Sequence, residues 1–315
     1  MLPDTVMNEL ITWLGCRPSD VKLLGEYNSN VFEILPDRGV VKILGRTSVS
    51  EADTLGEIEW LEYLVSKKVR VARPLRLSDN ELIHSISGEY YVVMYDKING
   101  SHVNPQNLQV WNSALFEKWG EATGKMHTAA KCYHPAQKRP QWNEHIMLQK
   151  LESSGLDPIL IQKWRHYGKE FERLPSTRHH FGLIHGDLHH GNLIVQEDEL
   201  TLIDFGDSEY HWFAYDIAVA VYHAAQTVDS SDREAFVKTF FQSFMTGYKR
   251  GNANTPFLSQ IDYFIDYRHL FSYTYHFLYA DYDKLTEKQL SYLNDMKQSL
   301  ILGSSFLGFS LAQTM

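Results

Sequence analysis

Cysteine is almost absent from this chain. Cys16 and Cys132 are the only two in 315 residues, too few for a disulfide framework and too far apart for a zinc knuckle. A reducing, cytoplasmic setting fits that usage best. An excess of basic residues is missing as well, since 30 Lys and Arg face 39 Asp and Glu, for a formal net charge of −9. Non-specific nucleic-acid affinity rests on clustered cations that release counterions, so nucleic acid is not an expected partner. A nucleoside triphosphate is still allowed, because its site needs only a few cations and magnesium.

No apolar run is long enough to span a membrane. The longest, Trp212 to Ala225, is broken by Asp216 and His223 and reads as a core helix. The opening MLPDTVMNELITWLG has two acids, no basic cluster and no continuous apolar stretch. It predicts a short amphipathic helix and no signal peptide. Zinc motifs are lacking despite 15 histidines. There is no HExxH, and the adjacent pairs His179-His180 and His189-His190 cannot chelate one ion from one face of a regular element. No internal repeat or low-complexity tract occurs.

What is present is ample core material, 43% hydrophobic and 13% aromatic, for one large domain or two lobes. From Asp20 to Leu44, short β-prone runs are punctuated by Gly25, Asn28, Pro36 and Gly39, as in strands joined by tight turns. Leu55, Ile58, Leu61 and Leu64 then predict a helix over 50–67, capped by Ser50 or Asp53. RPLRLSD and YYVVMYDKI resume strand character. The expectation is an N-terminal lobe over 1–98, a five-stranded antiparallel sheet plus one helix. A mainly helical lobe follows over 99–315, with a hinge near Asp96 to Gly100.

The chemistry is concentrated in His185-Gly186-Asp187-Leu188-His189-His190-Gly191-Asn192, followed by Asp204 in Leu202-Ile203-Asp204-Phe205-Gly206. Two carboxylates and an amide are what phosphoryl transfer requires. One carboxylate orients or deprotonates the attacking hydroxyl, while an amide oxygen and the other carboxylate hold magnesium across the phosphates. Leu193 to Val195 and Leu200 to Ile203 are predicted to pair as a hairpin. Lys42 lies inside the apolar run Val40 to Leu44, where an unpaired ammonium is costly. It either has an anionic partner or faces solvent from an edge strand.

HGDLHHGN and IDFGDSEYHWFAYDIA resemble the paired signatures of the aminoglycoside phosphotransferase and choline kinase family, and the resemblance runs in order along nearly the whole chain. It implies an α+β, protein-kinase-like two-lobe fold and transfer of the γ-phosphate of ATP or GTP to a hydroxyl of a small molecule. By the same resemblance Asp187 is the catalytic base, and Asn192 and Asp204 bind Mg2+. Lys42 meets the α/β-phosphates and a helix glutamate. That glutamate is read as Glu57, which shares a face with Leu61 and Leu64, in preference to Glu59. Gly25, Ser29 and Asn30 fall in the phosphate-covering loop, and Asp96 and Ile98 make backbone contacts to the base. Asp216 is expected to hydrogen-bond the catalytic-loop backbone, whereas Asp207 is either a substrate contact or a solvated loop acid. The sequence departs from the common pattern at His190, where proline is frequent, and at Gly206, where an acid is frequent.

Two alternatives keep the fold: a protein Ser/Thr kinase, although no APE segment follows the second motif, and a nucleotide-binding pseudokinase. The partners implied are the nucleotide and a small hydroxylated substrate, with the protein a monomer or homodimer. Between Asp262 and Asp283 rings and acids are crowded, which points to a cationic amino alcohol or aminated sugar as acceptor. Arg268 in that segment offers instead a clamp for an acceptor carboxylate.

Overall fold

The computed structural model describes residues 2–24, 30–36, 38–77 and 80–311. Helix α1 (Asp4–Leu14) comes first, then strands β1 (Val21–Leu23), β2 (Val31–Ile34) and β3 (Gly39–Gly45). Helix α2 (Glu51–Ser66) is followed by β4 (Pro74–Leu75), β5 (His84–Ile86), β6 (Tyr90–Tyr95) and β7 (Ser101–His102). Next come α3 (Ser113–Ala130), α4 (Ile146–Lys150), α5 (Pro158–Phe171) and β8 (Phe181–Leu183). The hairpin β9 (Leu193–Gln196) and β10 (Glu199–Leu202) leads to β11 (Tyr210–Trp212) and α6 (Phe213–Ala225). Helices α7 (Arg233–Gly251), α8 (Ile261–Tyr279) and α9 (Glu287–Leu302) complete the described chain.

The chain divides into two compact units, one made of Met1–His102, Tyr133–Arg139 and Leu193–Gly206, the other of the remainder. The first therefore takes in two segments from well beyond residue 98. Its main sheet has six strands in the order β1-β2-β3-β6-β4, with β5 also on β6, all antiparallel. This is one more than the five expected from the sequence, because the short polar run His84-Ser85-Ile86 borrows its ladder from β6 and shows no alternation of its own. Helix α1 covers one face. Val6, Leu10 and Leu14 pack with Phe32, Ile34, Val41, Ile43, Ile86 and Val92. Helix α2 starts where Ser50 Oγ accepts the Asp53 N–H at 3.0 Å, a side-chain cap for one of the orphan donors of the first turn.

A second small sheet of this unit runs β10-β9-β7, with Leu202 opposite Leu193. Leu202 is also bracketed by the segment after α2, its N–H donating to Arg70 O at 3.0 Å and its carbonyl accepting from Ala72 N at 3.3 Å. That clasp fixes the strand end from which Asp204 departs.

In the second unit α3 and α7 lie in backbone contact. A Cβ on Gly120 would sit 1.8 Å from Phe244 O, and one on Gly247 would sit 1.8 Å from Glu117 O. Helix α6 is buried along all its length except at His223. An all-round apolar helix belongs in the centre of a domain, and α6 carries the buried Asp216 there. No helix among the described residues is long and apolar enough to cross a membrane.

Candidate active site

In the first unit a charged cluster gathers around Gly206. Lys42 stands on β3, between Val31 of β2 and Val93 of β6, and its Nζ donates to Asp204 Oδ1 at 2.8 Å. Glu57 projects from the buried side of α2 and accepts the Tyr95 hydroxyl proton at 3.3 Å. A Cβ at Gly206 would lie 3.5 Å from Lys42 Nζ, 3.7 Å from Asp204 Oδ1 and 3.9 Å from Glu57 Oε2, so all three charged groups face one spot. Glu59 points elsewhere, its two oxygens accepting from Ala136 N and Gln137 N at 2.7 and 2.8 Å. Burial, and then the negative charges of Glu57 and Asp204, push the Tyr95 hydroxyl well above its ordinary range, so it stays a neutral donor.

Asp204 has φ +61°, a left-handed backbone uncommon for any residue but glycine. Such conformations persist where the surroundings enforce them. One enforcer is Arg139, which sequence reasoning did not single out. Its buried guanidinium donates to Asp53 O at the start of α2 and to Gly206 O just after Asp204, both at 2.8 Å.

The predicted nucleotide-contacting residues of this unit fall as follows. Gly25 and Ser29 lie outside the described residues. The Asn30 amide donates to Ile43 O at 2.8 Å, tying β2 to β3. Asp96 and Ile98 line a cavity of about 420 Å3 with Gly39, Leu75, Lys97 and Gln196. The Asp96 N–H is committed to Arg73 O at 2.8 Å. Of the two backbone groups of Asp96, the carbonyl is therefore the one left for a base.

In the second unit the loop after β8 carries Asp187. Gly186 turns it at φ +86°, where a Cβ would come within 2.2 Å of Asp207 O. Only glycine fits both demands. Buried Asp216 accepts from His185 N at 2.9 Å and from Gly186 N at 3.0 Å, so α6 pins the loop backbone. His127 Nε2 lies 3.0 Å from Asp216, and its Nδ1 lies 2.7 Å from the Tyr248 hydroxyl. Burial holds His127 below its ordinary range against the pull of Asp216. The imidazole is thus neutral, donating to Asp216 and accepting from Tyr248.

Asp187 itself is held from both sides. Arg268 Nη2 donates to Oδ1 at 2.7 Å, and His189 Nε2 stands 3.3 Å from Oδ2. Because His189 Nδ1 accepts from Gly191 N at 2.9 Å, its proton is on the nitrogen that faces Asp187. Burial alone would raise the Asp187 carboxyl. The His189 hydrogen bond and the Arg268 charge outweigh burial and hold it well below the usual carboxylate range. Asn192 Nδ2 donates to Asp187 O at 2.9 Å, which orients the amide and leaves Oδ1 available as a ligand oxygen.

Arg268 corrects one expectation. It is not a free clamp for an acceptor carboxylate, because it is buried and its Nη2 serves both Asp187 and, at 3.0 Å, His223 Nε2. The signal available in the sequence was a lone arginine in an aromatic helical run, which demands a buried anion. The ring-rich segment also divides. Phe264, Tyr267 and Tyr273 are core, whereas Tyr275, Tyr279 and Tyr282 are exposed. Burial and then the negative charges of Asp207 and Asp187 raise the Tyr275 hydroxyl above its ordinary range.

An ionised, oriented carboxylate on a pinned loop, and a lysine–carboxylate cluster on the sheet unit, are the parts of a kinase-like phosphotransferase. The chain belongs to the phosphotransferase enzyme family, whose sequence profile matches residues 20–253. The amicoumacin kinase of Bacillus subtilis (strain 168) is 29% identical over 322 residues, covering 98% of this chain and 95% of its own length. Among solved structures, an amicoumacin kinase in complex with AMP-PNP, Ca2+ and Ami superposes with a TM-score of 0.87 at 26% identity, over 95% of this chain and 93% of that one. A microcompartment-associated aminopropanol kinase shares the fold at a TM-score of 0.69 and 18% identity, over 89% and 90% of the two chains. The α+β, kinase-like fold expected from the sequence is therefore the fold of this chain. The protein is a small-molecule kinase acting on a hydroxyl group, and the relatives give no support to the protein-hydroxyl alternative.

Proposed function

We propose that this kinase moves the terminal phosphoryl group of ATP to a hydroxyl of a small amine-bearing acceptor, with Asp187 as the group that takes the hydroxyl proton. The observation that carries the reading is the Asp187 carboxylate, ionised and fixed by Arg268 and His189 on a loop pinned by Asp216. The acceptor oxygen forms a bond to the γ-phosphorus as the bond from that phosphorus to the nucleoside diphosphate breaks. The hydroxyl proton passes to Asp187 Oδ2, and the diphosphate leaves with the electron pair. A carboxylate held far below its ordinary range is a weak base. Its main contribution is therefore to orient the nucleophile, in keeping with a loose transition state that asks chiefly for positioning.

The donor set suits a hard divalent ion. Asn192 Oδ1 and the half-exposed Asp204 carboxylate are oxygen ligands, and Mg2+ is commonly held by one or two protein oxygens together with substrate phosphates. When bound, such an ion neutralises charge on the phosphates. Lys42, on the same cluster as Asp204, is assigned to the α/β-phosphates, with Glu57 orienting it. The Asp96 carbonyl and the Ile98 N–H, which has no backbone partner among the described residues, are assigned to the base.

For the acceptor, the similarity to amicoumacin kinase and the fold shared with an aminopropanol kinase both favour a molecule with a hydroxyl and an amine. Asp207 and the exposed Tyr275 ring suit the ammonium. The test is nucleotide consumption by the purified protein with amicoumacin, aminopropanol, aminoglycosides and neutral polyols, in ATP and GTP arms and in Mg2+ and Ca2+ arms. Consumption with amine-bearing hydroxyl compounds supports the reading. Transfer confined to neutral or anionic acceptors removes the cationic part of it, and none with any acceptor removes the whole.

A further inference from the structure

A shallow cavity of about 370 Å3 opens beside the catalytic loop, lined by Asn104, Gln106, His190, His223, Gln226 and Thr227. Its size falls within the range of small-molecule sites. Two of its walls flank the ring that faces the reacting carboxylate. The His189 ring lies 5.9 Å from that of His190 and 5.1 Å from that of His223, while His189 Nε2 stands 3.3 Å from Asp187 Oδ2. A molecule in the cavity is one imidazole away from Asp187.

The lining contains no Asp, Glu, Lys or Arg. Burial and the neighbouring Arg268 hold His223 well below its ordinary range, so that ring is neutral. Its Nε2 accepts from Arg268 Nη2 at 3.0 Å, which puts its proton on Nδ1. Part of the wall is fixed by internal bonds. Gln226 Nε2 donates to Tyr222 O at 3.1 Å and Gln226 Oε1 accepts from the Tyr292 hydroxyl at 2.6 Å, while the Thr227 hydroxyl donates to Ala224 O at 2.8 Å. Asn104 Oδ1 accepts from Gln106 N at 2.9 Å, which leaves the Asn104 NH2 and the Gln106 amide turned to partners outside the protein. The side-chain polar groups that line the space are therefore neutral donors and acceptors. An ionic group entering it would lose water and meet no counter-ion, whereas hydroxyls or an amide would exchange water for these partners at little cost.

We propose that this cavity is the subsite for the uncharged, hydroxyl- or carboxamide-bearing portion of the acceptor, the portion beyond the hydroxyl that receives the phosphoryl group. The proposal rests on the kinase reading of the neighbouring loop. It divides the acceptor chemically, with an amine toward Asp207 and Tyr275 and a neutral polar end against His190 and His223.

Three probes on one sugar scaffold test it: N-acetylglucosamine, neutral with a carboxamide; glucosamine, a cation; and glucuronate, an anion. Each is titrated into the full chain without nucleotide and followed by ligand-observed NMR, with ring signals read in histidine-labelled protein. The expected result is preferential binding of N-acetylglucosamine with shifts at His190 and His223. Gln106→Trp, at an exposed rim position, should weaken that binding about tenfold or more, the value of one lost polar contact or a blocked entrance. Leu108→Trp, on a residue 75% exposed and outside the cavity, should leave it unchanged. Preference for a charged probe, no binding of the neutral one, absent histidine shifts, or equal effects of the two tryptophans would each overturn the proposal. Phosphoryl transfer plays no part in this titration, so neutral-probe binding alongside failed transfer to every acceptor would sink the kinase reading alone.

Discussion

Replacing Arg268 with methionine isolates the support given to Asp187. The guanidinium is 2.7 Å from Asp187 Oδ1, with side-chain exposures of 8% for Arg268 and 28% for Asp187. Unit charges about 4 Å apart attract by about 4 kcal/mol at an effective dielectric of 20. The partial exposure of Asp187 and the relief of arginine desolvation reduce the net loss to roughly 2–3 kcal/mol. At roughly 2–3 °C per kcal/mol for a chain of this size, Tm should fall by roughly 4–9 °C. The effect on turnover should be larger than stability alone implies. Asp187 keeps its charge but loses the bond that aims it, and a misplacement of about 1 Å costs on the order of 100-fold. Arg268→Lys restores the charge without the planar fork, and one ammonium cannot reproduce the guanidinium contacts to Asp187, His223 and the Tyr215 hydroxyl. It should recover most of the Tm and only part of kcat. Steady-state kinetics at saturating acceptor, with thermal unfolding of the same samples, make the comparison. Parent-like kcat in Arg268→Met would refute the positioning argument, and so would full recovery of kcat by lysine.

Asp187→Asn should reduce single-turnover transfer by about 1,000-fold or more while nucleotide affinity stays close to that of the parent, because the lost group faces the acceptor. Comparable transfer by the two proteins would remove Asp187 from its role. Asp204→Ala should weaken metal-dependent nucleotide binding about 100-fold in a calorimetric titration, since it deletes a ligand and strips Lys42 of its 2.8 Å partner. Unchanged affinity would contradict that assignment. Lys42→Ala and Glu57→Ala should be non-additive by roughly 0.5–3 kcal/mol in a double-mutant cycle on kcat/KM, as their charged atoms converge on Gly206. Zero coupling would separate the two residues. Buried His211 is held well below 6.5 by burial alone, and His145 and His269 are brought to about 4, again chiefly by burial. A depressed folded-state value means that their stability is fully present above about pH 6.5 and is lost as pH falls toward 4, by up to about 1.4 kcal/mol per pH unit and histidine. A Tm that is flat between pH 7 and 5 would show that these rings take up protons in place.

The features legible in the sequence are those written in contiguous residues. Asp187, Asn192 and Asp204 fall in two short motifs joined by one hairpin, and the two apolar runs of that hairpin appear directly as the β9–β10 pair. The helix predicted over 50–67 spans Glu51–Ser66, because Ser50 supplies a cap and the leucines supply a face. What the sequence hides is the company these residues keep. Arg268 meets Asp187 across 81 positions, and Arg139 meets Gly206 across 67. Neither separation leaves a periodic trace. Helix α8 hides its exposed face for a related reason. Rings occupy the helix all round, so the exposed Tyr275 and Tyr279 cannot be told from the buried Phe264, Tyr267 and Tyr273 until packing assigns the sides. Charge gave the better clue, since an arginine within such a helix must find an anion or leave the core.

Each of the two carboxylates assigned to the chemistry has its own cation, Asp204 with Lys42 and Asp187 with Arg268. The Asp187 carboxyl is held well below the usual carboxylate range, and pairing also offsets most of the long-range pull of both carboxylates on a substrate cation. The ammonium of an acceptor therefore gains little from Asp187, whose charge Arg268 already offsets at 2.7 Å. On the proposed reading, attraction for an amine would come from ring faces such as the exposed Tyr275 and from the Asp207 charge that acts on that ring in the same unit. An acceptor would then be selected by an amine placed away from its reacting hydroxyl, while the oxygen that attacks is oriented by a carboxylate whose charge is already balanced. This separation lets affinity for the amine vary among acceptors without altering how Asp187 presents itself to the hydroxyl.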